Sequence, residues 1–197
     1  MSEAPVVHIV DDDASFGRSL ARLLGASGFQ VRGFSSGAEL LAAVSPQSEG
    51  CVVADLAMPG IGGLELQDEL SRLGVPLPVV FLTGRGDIPS SVRAMRGGAV
   101  DFLEKHAPKE ALLAAVQRAL ASGRHAAGLR RRFSALTQRE LQVLQHVVRG
   151  RMNKQIAADL GIHERTVKLH RTALTTKLGV RSAAELATLA RDAGVAT

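Results

Sequence analysis

Five short apolar runs set the limits on what this chain can fold into: VVHIV (6–10), FQVRGF (29–34), CVVADL (51–56), PVVFLTG (78–84) and VDFLEK (100–105). They start 22 to 27 residues apart, and helix-like segments lie between them. Phe16, Leu20, Leu23 and Leu24 follow the i, i+4, i+7, i+8 spacing of one helix face. Leu66, Leu70 and Leu73 do so after the Gly62-Gly63 turn, and Leu112, Leu113, Val116 and Leu120 after Pro108. Strand–helix alternation five times over predicts an α/β domain, a parallel sheet with helices on both faces. Runs one, three and four are nearly all apolar, as central strands of such a sheet must be.

After about residue 122 the pattern changes. SGRHAAGLRRRFSA (122–135) has Gly, Ser and four Arg without a clean period, and reads as a linker, helical in part. From Leu136 on, everything reads as helix. LTQRELQVLQHVVRG (136–150) opens with Thr137 three residues before Glu140, the pattern of a capping box. NKQIAADLG (153–161), HERTVKLHRTALTTKLG (163–179) and SAAELATLARDAG (182–194) complete an all-α, four-helix domain. The predicted boundaries are 1–122 for the first domain, 123–134 for the linker and 135–197 for the second.

Charge divides at the same place. Residues 1–122 hold 10 Lys/Arg and 14 Asp/Glu, a net −4, whereas residues 123–197 hold 14 Lys/Arg and 5 Asp/Glu, a net +9. Such segregation predicts two domains with different partners, the basic one facing a polyanion. No apolar run approaches the length of a membrane span, so no membrane is expected. MSEAPVVHIVDDD carries acids early and no basic leader, so a cytoplasmic location is expected. The lone Cys51, inside a strand-like run, reads as a small buried apolar residue.

The apolar residues of the third run lead straight into a carboxylate, Asp55, and the first run is followed by Asp11, Asp12 and Asp13. In a right-handed parallel sheet the first and third strands are neighbours, and their carboxyl ends meet at the edge where such sheets bind ligands. Converging carboxylates repel one another unless a cation joins them, and an all-oxygen site suits Mg²⁺ or Mn²⁺. Asp13, just before an amphipathic run, also reads as a helix N-cap and is left out of the metal set. The fourth and fifth strands bring Thr83 and Lys105 to the same edge. A hydroxyl and an ammonium beside carboxylates are what a phosphoryl group needs.

Residues 4–122 resemble the receiver domain of two-component response regulators, on the acidic cluster after strand one, DLAMPG after strand three, T-G at strand four and D-F-L-E-K at strand five. The resemblance implies a flavodoxin-like doubly wound fold with five parallel strands. It makes Asp55 the phosphoacceptor, Asp11, Asp12, Asp55 and the Ala57 carbonyl the metal ligands, Thr83 the switch hydroxyl, Phe102 the switch aromatic and Lys105 the phosphate-contacting lysine. A sensor histidine kinase would be the phosphodonor. One departure stands out. Receivers follow this lysine with proline and a cis bond, but here the residues are Lys105-His106-Ala107. A cis bond before a non-proline residue costs roughly 2.5–4 kcal/mol, so either the fold bears that strain or the bond is trans and Lys105 sits differently. The departure motivates an alternative, a transcription regulator that works without phosphorylation.

In the basic half, a short helix, a Gly turn and a second helix make a helix-turn-helix. Ala157, Gly161 and Val167 stand where close packing, the turn and the inter-helix core need them. Arg165, Lys168, Leu169, Arg171 and Thr172 fall away from the Val167/Leu174/Leu178 stripe, a donor-rich face for a major groove. Residues 136–190 resemble the LuxR-type helix-turn-helix in L-T-Q-R-E-L-Q-V-L, N-K-Q-I-A-A-D-L-G-I, T-V-K-L-H-R and K-L-G-V-R-S. That resemblance implies binding to double-stranded DNA, with Lys168, Leu169 and Thr172 at base edges and Asn153, Lys154, Arg165, Thr166, His170 and Arg171 on phosphates. It also implies pairing of subunits through Leu186, Leu189 and Ala190. A receiver joined to this domain resembles the NarL/FixJ class of response regulator, and the short linker and the T-G-R-G-D-I-P turn look closest to the FixJ branch. The expected protein is a transcription regulator whose phosphorylation promotes a homodimer through the face of helix four, strand five and helix five, including Val92, Arg93 and Met95, with RNA polymerase as a further partner.

Two other classes fit less well. A haloacid-dehalogenase-like phosphatase would use Asp11-Asp12-Asp13 as a D-x-D nucleophile motif, but GRGDIPSS supplies only Asp87 as a further acid and 122 residues leave no room for a cap. No enzymatic turnover is expected beyond the receiver's own phosphorylation and dephosphorylation. RNA binding would need stacking platforms, and the basic half has no aromatic ring beyond Phe133.

Overall fold

The computed structural model describes residues 6–84 and 88–193, the side chains of residues 191 and 192 excepted. Residues 85–87, the middle of the T-G-R-G-D-I-P turn with Asp87, lie outside the described residues. Tertiary contacts group residues 1–125 and 126–197 into two compact units.

In the first unit the five apolar runs are β1 (Val6–Val10), β2 (Gln30–Phe34), β3 (Gly50–Asp55), β4 (Val79–Thr83) and β5 (Asp101–Glu104). They form one parallel sheet in the order β2-β1-β3-β4-β5, so the three apolar runs are the three central strands. The order reverses direction between β1 and β3, which opens a crevice at their carboxyl ends. Helices α1 (Ala14–Ala26), α2 (Gly37–Ala43), α3 (Gly63–Arg72) and α4 (Ile88–Arg96) follow the first four strands. The sheet is buried on both faces. Val7, Ile9, Val53 and Val80 pack with Leu20, Leu24, Leu112 and Val116 on one side. Val10, Val52, Ala54 and Phe81 pack with Leu40, Leu66 and Leu70 on the other. Cys51 is fully buried, and burial pushes its thiol up to about 12, so it behaves as an apolar filler.

Helix α5 (Lys109–Ser134) runs unbroken through the segment read as a linker. Its apolar stripe is interrupted by Gly123, Arg124 and Gly128, which hid the helical period, yet none of these residues breaks the backbone ladder. Beyond it, α6 (Gln138–Val148), α7 (Asn153–Leu160), α8 (Glu164–Leu178) and α9 (Ala183–Asp192) enclose a separate core of Val143, Leu144, Ile156, Val167, Leu174, Leu178 and Leu186. Phe133 is buried in that core, so its ring is no stacking platform. Among the described residues, no helix is long and apolar enough to cross a membrane.

Candidate functional sites: a carboxylate cleft and a basic helix

Strand register places the first site. Val10 lies beside Ala54, so Asp11 and Asp55 follow as neighbours at the carboxyl ends of β1 and β3. Asp55 pairs with Leu82, and Thr83 pairs with Glu104, which brings Thr83 and Lys105 to the same edge. Lys105 is held by its backbone, its N–H donating to the Thr83 carbonyl at 2.8 Å.

Lys105 Nζ donates to Asp11 Oδ2 at 2.7 Å and to Asp55 Oδ2 at 2.8 Å, and it sits 4.5 Å above the Phe16 ring. Burial pulls the ammonium toward the neutral form, but the two carboxylate bonds outweigh it and the net pKa is raised. For Asp11, burial is the largest influence and raises its pKa against the bonds from Lys105 and the Asp13 N–H. Asp11, Asp55 and Thr83 are buried, while Asp12 is exposed at the rim. One oxygen from each of Asp11, Asp12 and Asp55 lies within 4.8 Å of the others, a spread that one small divalent cation can close. Asp13 caps α1, its Oδ1 accepting from the N–H groups of Ser15 and Phe16 at 2.8 and 3.1 Å, as an N-cap aspartate does.

Among the described residues there is no cis peptide bond. The Lys105–His106 bond is trans, and the turn closes through the Ala107 N–H to the Glu104 carbonyl at 2.9 Å. Lys105 therefore reaches both carboxylates without the proline. His106 lies on the surface, its Nε2 2.8 Å from Glu104 Oε2.

The carboxylates open into a cleft of about 850 Å³ lined by Asp55, Ala57, Thr83 and Lys105, and on the α4 side by Ser90 and Arg93. Phe102 is half-buried with its ring centroid 6.4 Å from that of Phe81. Val92 and Met95 are exposed on α4, with Ile88 still more so. Arg93 does not share their face. It turns to the cleft and to Asp68 of α3, with Nη2 3.3 Å from Oδ2, because its position on α4 is one-third of a turn away. Arg93 thus lines the cleft as well as being exposed on α4, and Phe16 lies beneath the ammonium, a placement that no sequence motif signals. The helical period carried a signal for Arg93, since 92, 95 and 88 align and 93 does not.

In the second unit the helix-turn-helix rests on α7 and α8. Gly161 ends α7 in the left-handed conformation, φ 63°, which a turn this tight requires of a residue without Cβ. Ile156, Ala157 and Val167 are buried between the two helices. Arg165, Lys168, Leu169 and Thr172 are exposed on α8, and Leu169 is 65% exposed. Thr166 and His170 are half-buried, and Lys154 is exposed at the start of α7. Arg171 is half-buried and donates from Nη1 to Asn153 Oδ1 at 2.7 Å, so these two residues tie α8 to α7. Lys168 Nζ is 3.5 Å from Glu164 one turn back.

The subunit-pairing role expected for α9 needs correction. Leu186 and Ala190 are buried in the unit's own core, and Leu189 packs against it, because α9 must cover α6 to close that core. The capping box is present, and Lys177 completes it. Glu140 Oε2 accepts from the Thr137 N–H at 2.7 Å and from Lys177 Nζ at 2.7 Å. The Lys177 bond is the main cause that holds the Glu140 carboxyl below the usual range. Glu140→Ala should cost the helical unit about 2 kcal/mol, because it strips a buried acceptor from a helix cap and from the end of α8. Urea unfolding followed by circular dichroism checks this, and unchanged stability would show the pair to be energetically idle.

Residues 7–117 match the family model described as response regulator receiver domain, and residues 134–190 match that of bacterial regulatory proteins, luxR family. The chain is 45% identical over 205 residues to the transcriptional regulatory protein FixJ of Azorhizobium caulinodans, covering 100% of this chain and 96% of that one. It is 41% identical over 201 residues to the nodulation protein W of Bradyrhizobium diazoefficiens, covering 98% and 88%. Among solved structures, the response regulator StyR matches with a TM-score of 0.60 at 45% identity, covering 95% of this chain and 98% of that one. Full-length FixJ from B. japonicum matches with 0.54 at 36% identity, covering both chains completely. With both domain families matched and relatives aligned over nearly their whole length, the chain belongs to the two-component response regulators of the NarL/FixJ class, transcription regulators with a receiver and a LuxR-type DNA-binding domain, near the FixJ branch.

Proposed function

We propose that Asp55 takes a phosphoryl group from a sensor histidine kinase and that this controls DNA binding by α8. The observation that carries the reading is the Lys105 ammonium held at 2.7 and 2.8 Å between Asp11 and Asp55. A carboxylate at a cleft edge with a cation already beside it is placed to attack phosphorus and to keep the added charge. Asp11, Asp12, Asp55 and the Ala57 carbonyl would hold Mg²⁺ or Mn²⁺, which would neutralise the transferred phosphoryl oxygens. Thr83 and Lys105 would then bind those oxygens, and Phe102 would follow Thr83. The alternative without phosphorylation loses its motive, since the missing proline does not draw Lys105 away.

The output side follows from exposure and charge. Ile88, Val92 and Met95 form an exposed apolar strip on α4, the surface on which phosphorylation would promote a homodimer. On DNA, Lys168, Leu169 and Thr172 face base edges, and Lys154, Arg165, Thr166 and His170 lie on phosphates. Asn153 and Arg171 hold the two helices in register while their remaining donors face the backbone. RNA polymerase is the further partner of a regulator of this kind, and the location is cytoplasmic. The domains proposed to act separately are 1–122 and 135–197, joined through 123–134.

Intact mass after incubation with acetyl phosphate and Mg²⁺ tests the reading. The chain should gain one phosphoryl group and Asp55→Ala none. A chain that gains none, or a variant that gains as much, would overturn the phosphoacceptor assignment.

A further inference from the structure

The cleft has two cationic walls, and the proposed chemistry uses one of them. Lys105 closes the β5 side. Arg93 lines the opposite side, on α4. Its backbone is fixed, because Gln67 Nε2, buried on α3, donates to the Ala94 carbonyl at 3.3 Å. Its guanidinium is not fixed. The pair with Asp68 is solvent-exposed on both sides, at 63% and 66%, and such a pair contributes little and releases its arginine easily. The cleft, at about 850 Å³, falls within the usual range of small-ligand pockets and is far larger than a phosphoryl group. The space beyond Asp55, toward α4, is therefore open to whatever the phosphoryl group arrives on.

We propose that Arg93 binds the departing carboxylate of acyl phosphates and so sets which class of phosphodonor this cleft prefers. The inference rests on Asp55 being the phosphoacceptor. In the step, an Asp55 carboxylate oxygen bonds to phosphorus while the P–O bond to the acyl group breaks. The electron pair leaves with that oxygen, and the products are aspartyl phosphate and a free carboxylate. Negative charge grows on the leaving oxygens as the bond stretches, in a region already crowded with Asp11, Asp12 and Glu65. A guanidinium fork is the side chain best shaped to receive a carboxylate. A donor whose leaving group departs neutral gains nothing from it. Arg93 thus sets donor class, and a nitrogen-linked donor such as phosphohistidine does not need it.

The test compares two probes on the full chain with Mg²⁺, scoring initial rates of phosphorylation by intact mass. Acetyl phosphate releases acetate, whereas phosphoramidate releases ammonia. Arg93→Ala should slow the acetyl phosphate reaction about fivefold to tenfold, the scale of one charge-assisted hydrogen bond, and leave phosphoramidate within about twofold. Arg93→Lys should recover part of the loss. An equal loss on both donors would overturn the proposal, since Arg93 would then act on the phosphoryl group or on the fold. No loss on either would overturn it too. If the unaltered chain is phosphorylated by neither donor, the phosphoacceptor reading itself falls and this one with it.

Discussion

Gly50→Ala is expected to destabilise the receiver by roughly 4 kcal/mol or more, combining a forced left-handed conformation with a backbone clash at the sheet centre. Gly50 opens β3 with φ 133°, and a Cβ there would lie 2.0 Å from the Val6 carbonyl oxygen. Val6 is its ladder partner on β1, so neither strand can retreat without breaking the central pairing. Gly33 on β2 supplies the control. A Cβ at that position would meet nothing within 4 Å, and the backbone φ is ordinary, so Gly33→Ala should stay within about 0.5 kcal/mol. Thermal unfolding of the two variants checks this, and similar midpoints would mean that the β1–β3 edge yields far more than its hydrogen bonds suggest.

The second large effect belongs to pH. His8 is buried on β1 against Phe34, and neither ring nitrogen has a hydrogen-bond partner among the described residues. Burial first, and the Arg32 charge second, push its pKa down to about 4. In the unfolded chain the ring titrates near 6.5. Between those values the unfolded state holds more protons, so stability is complete above about 6.5 and drains as pH falls toward 4. The loss attributable to His8 is about 3 kcal/mol. His8→Leu should abolish that part of the acid slope, and by removing two unpaired buried nitrogens it should also raise stability at neutral pH. Urea midpoints measured from pH 7 to pH 4 separate the outcomes. Parallel slopes for both proteins would show that His8 is solvated or bonded in the folded state.

Much of the receiver is legible because its central strands are buried on both faces and leave unbroken apolar runs. The end of each run marks the ligand edge, so Asp11, Asp55, Thr83 and Lys105 can be brought together on paper. What the residues do not disclose is direction at the level of one side chain. Arg93 and Val92 are adjacent letters about 100° apart around α4, the one lining the cleft and the other facing away from it. Lys177 lies 37 residues from Glu140 and has no periodic relation to it, so only the Thr137–Glu140 half of that cap is readable. Leu186 and Ala190 read equally well as a subunit interface or as a lid on their own core, and a four-helix unit this small needs them as the lid. The 123–134 stretch looks like a linker because its glycines and arginines blur the apolar stripe, while its backbone continues α5.

The Phe81–Phe102 contact has an optical consequence. The chain has six Phe and no Trp or Tyr, so it neither absorbs nor emits at the long-wavelength edge of protein ultraviolet spectra. F102W would place a lone indole in a half-buried seat beside Phe81, one strand over from Thr83. Its emission colour would report how wet that seat is, against a background of zero, while the rest of the molecule stays dark.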